Sequence, residues 1–385
     1  MKQIISIFII IFYLGCGHST CSFQPYLYEL FQKEYFWADK IAKEINYQKY
    51  STPQEMIDGL KYTPLDKWSM VLTKKENSNL LNQKSTGFGF AYPVEDEKEK
   101  IITHTRINSP ADKAGLKRGD LIIGVNGKEA TSQEIQKASE DIGVSSRFEI
   151  YRASNNEILE IDIISQEYTF EVTKASVVTT DNNQRVGYMR FDSFTGSATT
   201  EIDRAFDYFT EQNIDKLIID MRYNGGGSVT TASILLDKLI RNRDDEIQFV
   251  MRWNEQMQHK NQFAYFETDN NSINLKNIIF LTTEETASAS ELVINSMKPY
   301  LGDNVVTIGS KTHGKPVGME GRTDGTYIYY LINFVIVNRD GFYDYFDGLE
   351  VTNGCKVEDD LEHILGDKEE KMLKKALFYI DNNHC

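Results

Sequence analysis

Tyr26, Leu27, Leu30, Phe31, Tyr35, Phe36, Trp37 and Ile41 recur at helical spacing, so the stretch from Phe23 to about Lys84 reads as a small helical domain with its aromatic stripe in a core. The texture changes near Ser85. Thr86 to Tyr92 and Ile101 to Thr105 are short β-rich runs. Leu121-Ile122-Ile123-Gly124-Val125 is a strand closed by the turn pair Asn126-Gly127. From about Gln166 strands and helices alternate. Val186–Phe191, Lys216–Met221, Asn277–Leu281 and Val305–Gly309 read as strands. Thr200–Thr210, Val229–Ile240 and Ala289–Tyr300 read as the helices between them, and Tyr327–Val337 as a long further strand. That order predicts a layered α/β domain with its function at the strand ends. The whole is an α+β multidomain chain, divided at 23–84, 86–167 and 168–385.

Its 385 residues suit two or three domains. The net charge of -15 removes nucleic acid from the candidate partners, because phosphate binding needs a basic footprint. Residues 1–20 read as an export signal: Lys2, then the apolar run Ile4–Leu14, too short to span a bilayer. Tyr13-Leu14-Gly15-Cys16 resembles a bacterial lipoprotein processing site, which makes Cys16 the candidate lipidated residue. The alternative is a plain secretory signal cut after Gly15 or Gly17. The expectation is therefore an exported protein of the cell envelope, lipid-anchored or periplasmic. The cysteines are Cys16, Cys21, Cys355 and Cys385. None forms a CxxC pair, so no metal site and no cofactor is expected. With Cys16 lipidated and Cys21 in the tether, Cys355 and Cys385 are a candidate bridge or two free thiols.

The candidate chemistry lies in three segments. Asn224-Gly225-Gly226-Gly227 follows a strand and precedes a helix, a turn able to aim backbone N–H groups at one point. Thr286-Ala287-Ser288-Ala289-Ser290-Glu291 puts Ser288 near a helix N-terminus, where partial positive charge stabilises an oxyanion. Here Ser-x-x-Glu is also a capping box, and a cap and a nucleophile can be neighbours. Thr312-His313-Gly314-Lys315 offers a lysine base; His313 keeps a Ser–His pair open. Lysine can act as a base if desolvation brings its pKa down from ~10.4. The segments together read as a serine hydrolase that uses lysine in place of histidine.

Two resemblances sharpen this reading. Residues 86 to 167 resemble a PDZ domain, on Gly87-Phe88-Gly89-Phe90, Ala114-Gly115-Leu116, Gly119-Asp120 and Val125-Asn126-Gly127. The resemblance implies that residues 87–90 receive a peptide's terminal carboxylate while the peptide adds as a strand. The chain as a whole resembles the C-terminal processing peptidases, or tail-specific proteases. The match is carried by Asp220-x-Arg222-x-Asn224-Gly225-Gly226-Gly227, by Thr286 to Leu292, and by Gly314-Lys315. In texture it is similar to exported, lipoprotein-like members from Bacteroidetes-type bacteria. This implies a helical N-terminal domain, a β-barrel-like PDZ domain and a ClpP/crotonase-like α/β catalytic domain. It implies Ser288 as nucleophile, Lys315 as base, and Gly226 or Gly225 with Ala289 as oxyanion donors. Protein or peptide substrates follow from the resemblance; the oligomeric state does not. One departure stands out. Where many members carry a Gln four residues after the lysine, this chain has Met319, followed by Glu320. The alternative from another class is a catalytically inactive, membrane-tethered PDZ scaffold that binds protein C-termini.

Overall fold

The computed structural model describes residues 22–81, 83–95 and 98–385. The expected export signal at 1–20, Cys16 and Cys21 lie outside the described residues. The chain forms two compact units. Among the described residues, one gathers those up to Ser78 with Val250–Gln262 and Val317–Val337; the other holds those of Asn79–Phe249, Phe263–Pro316 and Asn338–Cys385.

In the first unit the helix Phe23–Lys33 buries Leu27, Leu30 and Phe31 of the predicted stripe and Tyr28 beside them, while Tyr26 is only partly buried. The helix Pro53–Leu60 opens on a capping box: Thr52 Oγ1 accepts from Glu55 N at 3.2 Å, and Glu55 Oε2 accepts from Thr52 N at 3.2 Å. The segment is not helical throughout. Met70–Thr73 is a strand, antiparallel to Tyr327–Asn338 with Met70 opposite Tyr330, and Val317–Thr323 pairs with the same long strand. Four residues carry too little period to identify a strand whose partner lies some 260 residues away.

In the second unit the PDZ-type domain is a four-stranded antiparallel sheet of Lys128–Glu129, Asp120–Val125, Ser145–Arg152 and Glu157–Ile164, in that order. Asn126 and Gly127 take φ of 53° and 76°, the two left-handed positions that the tight hairpin requires. Phe88, Ile135 and Phe148 are buried in its core. A cavity of about 360 Å³ runs between the turn Gly87–Phe90 and the helix Ser132–Glu140, lined among others by Tyr92, Gln136, Ser139 and Tyr168.

The α/β part is built on a five-stranded sheet: Thr173–Thr179, Arg185–Phe191, Leu217–Asp220, Ile278–Thr282 and Val305–Gly309, in that spatial order. The first pair is antiparallel and the rest are parallel. Parallel neighbours need crossovers, which the helices Ala198–Glu211, Val229–Leu239 and Ala289–Leu301 supply. Ile218, Ile279, Leu281, Val306 and Ile308 share a core with Met372, Leu373 and Leu377 of the C-terminal helix Lys371–Asn382. The opposite face meets the first crossover helix, since a Cβ on Gly187 would lie 3.1 Å from the Phe209 ring. Coverage on both faces explains the continuous apolar runs of these strands.

Cys355 and Cys385 are joined by a disulfide, with Cα atoms 5.2 Å apart, which ties the C-terminal helix to the segment beneath it. The bridge closes a sequence separation of 30 residues. Loop entropy on that scale is worth about 3–4 kcal/mol. Cys385→Ser is expected to lower unfolding free energy by that order, read as a lowered urea midpoint with a slope no smaller than wild type, since the opened loop expands the unfolded chain.

Candidate active site

Three loops leave the carboxyl ends of three adjacent parallel strands: after Asp220, after Thr282 and after Gly309. Each carries one of the candidate segments. Ligands in open α/β sheets bind at this end.

The first loop is held rigidly from within. Asn224 is fully buried; its Nδ2 donates to Phe191 O at 2.8 Å and its Oδ1 accepts from Gly226 N at 2.9 Å. Its carbonyl accepts from Ala287 N at 3.0 Å and from Ser290 Oγ at 2.9 Å, which fastens the glycine loop to the serine loop. Thr286 Oγ1 donates to Met221 O at 2.8 Å, a second fastening. Gly226 has φ of 98°; a Cβ there would lie 2.7 Å from Ser288 Cβ and 2.8 Å from Ala289 N. The glycine loop therefore lies directly against the serine. The Gly226 N–H, expected as an oxyanion donor, is committed to Asn224 in this arrangement. A buried amide needs a partner, and the side chain two residues back supplies it.

Ser288 is half-buried and sits at the N-cap of the helix Ala289–Leu301 with φ 57° and ψ -113°. That is a strained backbone for a residue with a side chain, of the kind found where surrounding structure over-determines a functional position. Glu291, fully buried, supplies much of that restraint. Its Oε2 accepts from Ser288 N and from Lys315 N, both at 2.8 Å. The Ser288 and Lys315 backbone nitrogens therefore lie no further apart than twice that distance, although 27 residues separate them in sequence. His313 is exposed, its ring Nδ1 near Glu284 O at 3.2 Å. Met319 and Glu320 belong to the first unit, where the Glu320 carboxylate pairs with Arg322 at 2.7 Å.

Charged groups brace the glycine loop from behind. Arg222, fully buried, forks onto Asp220 (Nε–Oδ1 3.0 Å, Nη2–Oδ2 2.7 Å) and reaches Glu370 at 2.9 Å and Asp359 at 3.2 Å. Tyr188 OH donates to Asp220 at 2.7 Å. Burial alone would raise the Asp220 carboxyl, but the Arg222 charge and hydrogen bonds outweigh it and hold it below the ordinary range. From the PDZ-type domain Arg118 bonds Asp359 at 2.5 Å, Thr103 O, Asp360 O and Tyr223 OH. His104 stacks on Tyr223 at 4.5 Å between centroids. Its burial, with the charges of Arg190, Arg106 and Arg118, pushes its imidazole down to about 3, so it enters this contact neutral.

The sequence motifs mark the glycine loop, Ser288, Lys315 and Ala289 but not the groups that position them. Asp220, Arg222 and Glu291 stood inside the quoted motifs, where an acid or base in an apolar setting is itself a signal. Asp359, Glu370 and Arg118 carried none, because their contacts bridge 100 to 250 residues.

The chain is similar to known proteins over most of its length. The family profile Peptidase family S41 matches residues 185–336, its N-terminal domain 24–70, and a PDZ domain 101–140. The carboxy-terminal processing protease CtpB of Bacillus subtilis is 26% identical over 303 residues, covering 76% of this chain and 60% of that protein. The carboxyl-terminal-processing protease of Synechocystis is 24% identical over 305 residues, 76% and 68% of the two chains. The chain thus spans about 60% of the length of the Bacillus relative. A crystal structure described as an S41 protease from Bacteroides fragilis shares the fold at a TM-score of 0.79, with 21% identity and coverage of 96% and 100%. The N-terminal, PDZ and catalytic profiles are matched in that order along the chain, and the part that matches peptidase family S41 is residues 185–336.

Proposed function

We propose that this protein is an exported serine endopeptidase that cleaves protein or peptide substrates through a Ser288/Lys315 dyad. The observation that carries the reading is the meeting of the two backbones on one Glu291 oxygen, at the strand ends and against the glycine loop. Neutral Lys315 takes the Ser288 proton as the oxygen attacks the scissile carbonyl. The Ala289 N–H at the helix N-terminus receives the developing oxyanion, with Gly225 or Gly226 as the second donor; Gly226 must first release Asn224. Lys315 returns the proton to the leaving amine, and water then frees the acyl-enzyme. The turn Gly87–Phe90 and its cavity suit a substrate tail adding as a strand. Relatives that process carboxy termini point the same way. Export, with Cys16 as lipid anchor to the cell envelope, is proposed from residues 1–20; a disulfide is at home in such a compartment.

The test is covalent labelling with a fluorophosphonate probe followed by peptide mapping. The expected result is modification at Ser288, lost in Lys315→Ala. A folded protein that binds tail peptides yet leaves Ser288 unlabelled would overturn the peptidase and favour a non-catalytic PDZ scaffold.

A further inference from the structure

We infer that Glu291 is the positioning residue of this site: one buried carboxylate that fixes the nucleophile's backbone and the lysine turn's backbone to each other. The inference rests on the peptidase reading above. Both oxygens are filled. Oε2 takes Ser288 N and Lys315 N; Oε1 takes Thr312 Oγ1 and Gly314 N, each at 2.6 Å. Charge-assisted bonds of this kind are stronger than neutral ones, and the helix N-terminus favours the negative charge.

A capping glutamate would serve its own helix, and only the bond to Ser288 N does that. The other three donors come from 21 to 24 residues downstream. Thr312 passes the restraint on, since its Oγ1 accepts from Leu349 N at 2.7 Å. Gly314 fits only as glycine, because a Cβ would lie 2.3 Å from Phe346 O. The lysine turn is therefore pinned by its amides and leaves the Lys315 side chain to be directed from a fixed root. The same carboxylate restrains the strained φ of Ser288. Position 291 needs an acid rather than an amide. A glutamine would turn its NH2 toward two donors and leave one pair without an acceptor.

The test compares wild type with Glu291→Gln and Thr312→Val by kcat and KM on a tail peptide, by melting temperature, and by amide hydrogen exchange over 286–291 and 312–316. Glu291→Gln is expected to fold, to keep KM within about twofold, to lose about 100-fold or more in kcat, and to speed exchange in both segments together. Thr312→Val removes one of the four donors and is expected to lose about tenfold in kcat at unchanged KM. A folded Glu291→Gln with kcat within threefold of wild type overturns the inference. If Glu291→Gln does not fold, unchanged kcat in Thr312→Val overturns it, and a loss confined to kcat supports it. If wild type shows neither turnover nor labelling, the peptidase reading fails by itself. Exchange then decides: coupled deprotection supports the link, and deprotection confined to 286–291 overturns it.

Discussion

Ser288→Ala is expected to cut hydrolysis of a casein-like substrate by at least about 10⁴-fold, and Lys315→Ala by a similar factor. The double variant is expected to be no worse than either one. In the proposed dyad the two residues act in one step, so removing either removes that step, and losses of residues acting as a unit do not add. Neither change should disturb the fold. Ser288 and Lys315 are only half-buried, and the contacts that fasten their loops are made by Asn224, Thr286, Ser290 and Glu291. Melting temperatures should therefore stay within a few degrees of wild type, and initial rates on the purified variants decide the matter. Multiplicative losses in the double variant would mean two independent roles and would sink the dyad. Retained turnover in either single variant would do the same.

The sequence was most legible where local chemistry repeats. Val305–Gly309 is a strand with the predicted bounds, and the helices around Phe206 and Leu235 begin and end within two residues of expectation. Buried parallel strands are continuous apolar runs, and glycine and serine punctuate the loops between them. It was least legible where a short element depends on a remote partner. Met70–Thr73 has no period of its own and becomes a strand by pairing with Tyr327–Asn338. The same holds at the site. Ser-x-x-Glu is recognisable as a cap, but three of the four bonds made by Glu291 come from chain that nothing local announces. Gly226 is the reverse case. Its motif suggests a donor, and the structure commits that N–H to Asn224 while setting the bare Cα against Ser288 and Ala289.

That point yields the second large effect. Gly226→Ala is expected to lower kcat/KM by about 10³-fold or more, on the scale of losing an oxyanion donor. Two terms act together. At φ 98° an alanine is strained. Its Cβ would also sit 2.7 Å from Ser288 Cβ, 2.8 Å from Ala287 O and 2.8 Å from Ala289 N. Two of those three atoms are backbone, so no rotamer change relieves the contact, and the added methyl crowds the Ala289 amide proposed to meet the oxyanion. Gly225→Ala is the contrast. Its Cβ would meet nothing within 4 Å and its N–H is kept, so its loss should not exceed about tenfold. Steady-state rates and the fluorophosphonate labelling rate of Ser288 should fall together in Gly226→Ala, because both need the same approach to the serine. Labelling at the wild-type rate in that variant would show the space before Ala289 to be irrelevant, and with it the oxyanion position assigned here.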